Sequence, residues 1–229
     1  MNQSSVQLDP LNSPHPIPWN WILATHAAVS STDGSGIRYY RTPSLLSPDG
    51  CYAAYSRIQM QVQPQFFRCR VTSAMFVENR QTGAQQTITA SSPLANPHLL
   101  SSQALDTTGW MAILIPVSWS QSGERLLARE FEALLCTSVA SDYAVIWDRH
   151  QNRATTIAPT QVEYTTAILL GWSQFYRARV LFRAGTIGEK DWKLWAVDVS
   201  GDTIPAFGDR PEIFGSPYSN LWTGPQTFG

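Results

Sequence analysis

The sequence predicts an all-β fold, an antiparallel meander of about three four-stranded repeats. One turn-and-strand pattern recurs three times: LLSPDGCYAAYSR around Ser47, VSWSQSGERLLAR around Ser120 and GWSQFYRARVLFR around Ser173. Each is followed by a second apolar run ending in an acidic residue and a polar turn, AMFVENRQTG, DYAVIWDRHQN and LWAVDVSGD, with Glu78, Asp148 and Asp198 at corresponding points. The serines are spaced by 73 and 53 residues and the acidic residues by 70 and 50. Two independent landmarks with matching spacings and a period near 50 residues point to blades of a propeller or a related β-array.

Residues 1–21 read as an extended N-terminal arm. They are polar, then interrupted by Pro14, Pro16 and Pro18, whose missing N–H groups and fixed φ oppose a helix. The run 21–29 is expected to form one strand that completes a blade begun by the other terminus. A single β-repeat domain is assigned to 22–208. Its first repeat, about 37–90, has strands at 37–46, 51–62, 68–79 and 84–90, separated by the turns SPDG and RQTG and by Pro64. Residues 91–109 lack alternation and form a long loop. The second repeat, about 111–160, opens with MAILIPVSW. Over 124–136 its chain is rich in helix formers, and Leu127, Phe131 and Leu134 would share a helical face. The repeat alignment nevertheless requires a strand there, and tertiary context overrides propensity. The third repeat, about 164–208, supplies TTAILLGW, RARVLFRAG, DWKLWAVDV and DTIPAFG as its strands. Residues 209–229 form a tail rich in aromatic residues, proline and glycine, in which no long helix can persist.

Composition narrows the function classes. The chain has 229 residues, 43% of them hydrophobic and only 14% charged, with a formal net charge of −1. So weak a field argues against nucleic acid as a partner. Cys51, Cys69 and Cys136 are an odd set without a CxxC pair, which reads as free thiols in a reducing, cytoplasmic setting. The first thirty residues carry no Lys or Arg, unlike an ordinary signal peptide, and no apolar stretch reaches the ~18 residues of a membrane span.

The turn Ser47-Pro48-Asp49-Gly50 before an apolar strand, and Leu194-Trp195-Ala196-Val197-Asp198 followed by Gly201, resemble the repeats of TolB-like and WD40-like β-propellers. The resemblance covers roughly 37–208. It implies a partial or degenerate propeller of about three blades, with a β-barrel-like body as the alternative, and a role as an interaction platform. The chain departs from the family in having too few repeats and in losing the Asp-Gly turn in repeats two and three. Three blades leave ragged edges, which are association-prone.

No catalytic, cofactor or metal set converges in the sequence. Gly171-Trp172-Ser173-Gln174-Phe175 lacks the second glycine of a nucleophile elbow, and Phe175 would clash there. His15, His26, His98 and His150 are scattered without ligand spacing. The carboxylates Asp49, Glu78, Asp148 and Asp198 read as turn caps, and Asp33-Gly34-Ser35-Gly36 lacks the context of a phosphate cradle. Nine tryptophans are more informative. Trp110, Trp119, Trp147, Trp172, Trp192 and Trp195 are assigned to strand packing. Trp19, Trp21, Phe214, Tyr218, Trp222 and Phe228, in the breaker-rich termini, are the partner-binding candidates. The sequence is therefore read as a non-catalytic platform: an accessory, subunit or assembly factor contacting a larger protein or complex, or a second copy of itself. The alternatives are a hydrolase or lyase with its site between repeats, and a module binding carbohydrate or a flat aromatic ligand.

Overall fold

A computed structural model describes residues 8–31, 34–95 and 108–226. Each repeat folds as an antiparallel meander whose turns are closed by side chains at the landmark positions. The hydroxyl oxygens of Ser47, Ser120 and Ser173 accept the backbone N–H groups of Tyr52, Arg125 and Tyr176 at 2.9, 3.1 and 2.8 Å. At the following turn, Asp148 Oδ1 accepts from the N–H groups of His150 and Gln151, and Asp198 Oδ1 from those of Ser200 and Asp202. In the first repeat this role belongs to Asn79, which accepts from Gln81 and Thr82, so the turn equivalence lies one residue beyond Glu78. These are short-range Asx and serine turns, and they explain why the landmarks recur.

The first repeat contains β1 (Gly36–Arg41), β2 (Ser44–Leu46), β3 (Tyr52–Val62), β4 (Arg70–Asn79) and β5 (Gln85–Ile88). The expected strand over 37–46 is divided at Thr42 and Pro43, where proline cannot donate to the ladder. The second repeat contains β6 (Trp110–Trp119), β7 (Arg125–Leu134), β8 (Ala140–Asp148) and β9 (Arg153–Ile157). Thus the ambiguous segment 124–136 is a strand: β7 is paired along its length with both β6 and β8, and its residues 126–132 are buried. The third repeat contains β10 (Thr166–Ser173), β11 (Val180–Gly185), β12 (Lys193–Val197) and β13 (Thr203–Pro205).

The N-terminal segment departs from expectation. Residues 21–29 do not form a closure strand; α1 spans Trp19–Ser30, including the last residues of the supposed extended arm. The run has no strand-like alternation, and Ala24, Ala27 and Ala28 favour a helix once Pro18 has opened it. Ile22 and Val29, seven residues apart, fall on one face and bury against Ile58, Met60 and Met111.

The first two repeats share an 11-stranded sheet, joined where β4 and β6 run parallel for two residue pairs, Val71–Met111 and Thr72–Ala112. Beyond that point β6 leaves the ladder and crosses the buried face of the first repeat on its edge. The N–H of Leu114 donates to Ser73 Oγ at 2.7 Å, and its carbonyl accepts from the hydroxyls of Ser56 and Ser73. Odd residues of β6 (Met111, Ile113, Ile115) join an apolar cluster with α1, Ile58 and Phe131, while Leu114 joins Met75, Val77, Leu126 and Trp147 on the other side. The third repeat meets the second in the same way. The edge of β10 away from β11 donates Ala167 N–H to Ser141 Oγ and Leu169 N–H to Asp142 Oδ2. Ser73 and Asp142 stand the same number of residues before Asn79 and Asp148, so one device joins successive repeats. Neither sheet closes on itself along its strand order, which sets aside the barrel-like body.

Two features fasten the termini. Arg129 on β7, wholly buried, pairs with Asp142 at 2.8 Å and Asp9 at 2.7 Å and donates to the His15 carbonyl at 2.7 Å. Asp9 also accepts the N–H groups of Leu11, Ser13 and Ile17. Burial alone would raise the Asp9 carboxyl, but Arg129 and these N–H groups outweigh it and hold the pKa below the usual value. At the other end the tail adds β14 (Pro211–Glu212), β15 (Ser216–Tyr218) and β16 (Gly224–Gln226). It visits the first strand of each repeat in reverse order: β14 pairs with β10, Phe214 bridges Trp119 of β6, and β15 and β16 pair with β2 and β1. The first-strand edges are thereby paired from within the chain, while β5, β9 and β13 remain edge strands.

Candidate interaction surface

In the first repeat the sheet buries one face and leaves the other open at its Arg57–Gln61 end, while Ala53 and Tyr55 on that second face are buried. On β3 the even residues Ala54, Ile58, Met60 and Val62 are buried, whereas Arg57 and Gln61 are exposed and Gln59 is half-buried. Register carries this face across neighbouring strands in rows: Arg41, itself buried, with Arg57 and Ala74; Tyr39, Gln59 and Thr72; Ile37, Gln61 and Arg70. One row further along, Tyr55 stacks on Phe76 with centroids 5.5 Å apart at 25°. The Arg41 guanidinium lies 3.8 Å from the Tyr55 centroid and that of Arg57 5.5 Å from the Phe76 centroid.

Arg41 links this face to the tail by donating to Asn220 Oδ1 at 3.3 Å. Asn220 organises the turn between β15 and β16: its N–H donates to Thr223 Oγ1, its Oδ1 accepts the Trp222 N–H, and its carbonyl accepts the Thr223 N–H, each at 3.0 Å. The turn holds Leu221 fully in solvent and Trp222 70% exposed, with Tyr218 beside them 52% exposed.

The six terminal aromatics thus separate. Trp19 meets Phe66 edge-on at 6.2 Å and Trp21 rests on Tyr40 at 5.2 Å, both against the α1 cluster. Phe214 packs on the cluster between repeats two and three. Tyr218 and Trp222 face outward, and Phe228 lies outside the described residues. Leu221, Arg57 and Arg70 escaped sequence reasoning; the one signal for the arginines was the density of Arg in the first repeat, diluted in the whole-chain charge.

The other sites considered are spent locally. Ser173 Oγ donates to Asp209 Oδ2 and accepts from Tyr176 N–H, while Asp209 Oδ1 takes the N–H groups of Gln174, Phe175 and Arg210. This is a turn lock. His15 Nε2 lies 2.9 Å from the Leu170 carbonyl, His26 packs on Phe66 at 5.0 Å, His150 approaches Glu124 at 3.4 Å, and His98 is outside the described residues. Among the described residues no group of three His, Cys, Asp or Glu could hold a metal. A groove of about 480 Å³, with Pro14, His15, Pro16, Tyr40, Ile115 and Pro217 in its wall, lies where the arm, β6 and the tail converge. Burial depresses the His15 pKa and raises that of Tyr40, so it presents a neutral imidazole and a phenol on apolar walls.

No protein-family model and no curated protein matches the chain. Among the described residues, no helix is long and apolar enough to cross a membrane.

Proposed function

We propose that this protein is a non-catalytic interaction platform, an accessory, subunit or assembly factor of a larger protein complex. Its scaffold is read as a partial, degenerate propeller of the TolB-like and WD40-like kind. Three consecutive meanders, the second and third each laying its first strand edge-on against the one before it, support that reading. The observation that carries the function is the Leu221–Trp222 turn. Two large apolar side chains stand in solvent on a turn whose backbone is fixed by three hydrogen bonds, so their exposure is built rather than frayed. A rigid aromatic anchor loses little conformational entropy on docking, and such residues dominate binding energies.

The test is capture of the tagged full chain from its native lysate, with mass spectrometry and sizing of the recovered material. A Trp222→Ala substitution should reduce recovery of the principal companion by about 30-fold, the effect of a ~2 kcal/mol anchor, with the circular dichroism spectrum unchanged. Recovery that is indifferent to Trp222 and Leu221 would remove the basis for the proposal.

A further inference from the structure

We infer that the open face of the first sheet receives an acidic, extended segment of the partner; this rests on the platform reading and adds the partner's chemistry. Elsewhere Arg125, Arg129, Arg149 and Arg179 each hold a carboxylate, while among the described residues Arg80, Arg153, Arg177, Arg183 and Arg210 form no ion pair. What distinguishes Arg57, Arg68 and Arg70 is their grouping on and beside one face: among the described residues they too form no ion pair, Arg57 and Arg68 are exposed and Arg70 is half-exposed. Arg68 and Arg70 converge with the amides of Gln61 and Gln63 on a hollow of about 300 Å³. Across β1, β3, β4, β5 and β16 the one carboxylate is Glu78, at the far end of the face, a row beyond Phe76. Positive charge without internal compensation, lined up with amide donors, is complementary to carboxylates.

Spacing refines the match. The Arg57 and Arg70 rows are four β3 residues apart, about 13 Å along the strand. An extended chain lying along β3 repeats same-side residues at nearly the same pitch, so carboxylates at i and i+4 reach both guanidinium positions, where a planar fork of N–H groups donates to them in bidentate fashion. Gln59 and Thr72, in the row between, offer hydrogen bonds to the intervening residues. A nucleic acid fits less well. Single strands bind by stacking bases on open rings, and here the Tyr55 and Phe76 rings are already covered by Arg41, Arg57 and each other. The Arg41–Asn220 contact places the face beside the Leu221–Trp222 turn, so one partner can engage both.

The experiment is fluorescence anisotropy of the full chain with a short fluorescein-labelled peptide carrying glutamate at every fourth position among serines. An all-serine peptide and an oligothymidylate serve as comparisons. The glutamate peptide should bind and weaken with added salt. Arg57→Gln and Arg70→Gln should each reduce affinity about 2–5-fold, and their combination about 10-fold, as for solvent-facing charge pairs. Trp222→Ala should leave peptide affinity unchanged. Absent binding, binding that the arginine variants do not alter, or preference for the oligothymidylate would overturn the inference. Trp222-dependent capture that persists after such a failure would show that only the acidic segment was wrong.

Discussion

Arg129→Met is the sharpest test of how the termini are held. The side chain is wholly buried, and its guanidinium lies 2.7 Å from Asp9, 2.8 Å from Asp142 and 2.7 Å from the His15 carbonyl. Removing it leaves two carboxylates in the interior without a counter-charge, which costs about 3–5 kcal/mol. For a chain of this size the melting temperature falls by about 2–4 °C per kcal/mol, giving a drop of about 6–20 °C. Urea titration followed by tryptophan fluorescence, with thermal melts by circular dichroism, measures both quantities. The pH dependence gives a second signature. Burial already lifts Asp142 to about 6 against the opposing pull of Arg129 and the Leu169 N–H, and without Arg129 the folded-state pKa values of both Asp9 and Asp142 rise further. A carboxyl with a raised folded pKa lends stability that is fully present below its unfolded value and is lost as pH rises through the folded value. The deficit of the variant should therefore be smaller near pH 5 than near pH 8. A loss below about 1 kcal/mol, or a deficit independent of pH, would refute the buried triad as the clamp between arm, second repeat and third repeat.

Two further substitutions probe the interior. Glu130 is fully buried with Oε2 unpartnered, and burial, together with nearby Glu132 and Asp142, pushes its pKa well above the ordinary carboxyl range. Glu130→Gln should be more stable than the parent near pH 8 and nearly equal near pH 5; urea midpoints at both pH values check this, and an equal effect at both would contradict it. Gly215 has φ +99°, and a Cβ there would lie 2.6 Å from the Leu46 carbonyl oxygen and 2.9 Å from the Trp119 ring. Gly215→Ala should cost about 1–3 kcal/mol and loosen the tail, read as a lower urea midpoint and faster amide exchange at β15.

The recurring turns were legible because they are local. Ser47, Ser120 and Ser173 bond to backbone within a few residues, so the same short motif must recur wherever that turn recurs. The shift from Glu78 to Asn79 has the same origin: either residue ends the run, but only the Asn side chain reaches the N–H groups of Gln81 and Thr82. The segment 124–136 yielded to the repeat alignment because strand pairing on both sides outweighs propensities worth tenths of a kcal/mol per residue. By contrast, 21–29 gave no repeat to align, and without alternation or a neighbouring strand its alanines decide for a helix.

Of the surface, the chain alone located exposed aromatics at Tyr218 and Trp222 without separating them from Trp19, Trp21 and Phe214. Whether an aromatic residue docks depends on partners such as Phe66 and Tyr40, brought near by folding rather than by sequence proximity. The open face likewise depends on register, since Arg41, Arg57, Arg70 and Phe76 become neighbours only when β1, β3 and β4 align. Turn chemistry and the all-β class were written in local patterns of the sequence itself. The edge-on joining of repeats, the reverse course of the tail and the grouping of uncompensated arginines were decided by tertiary structure, because each depends on contacts between segments distant in the chain.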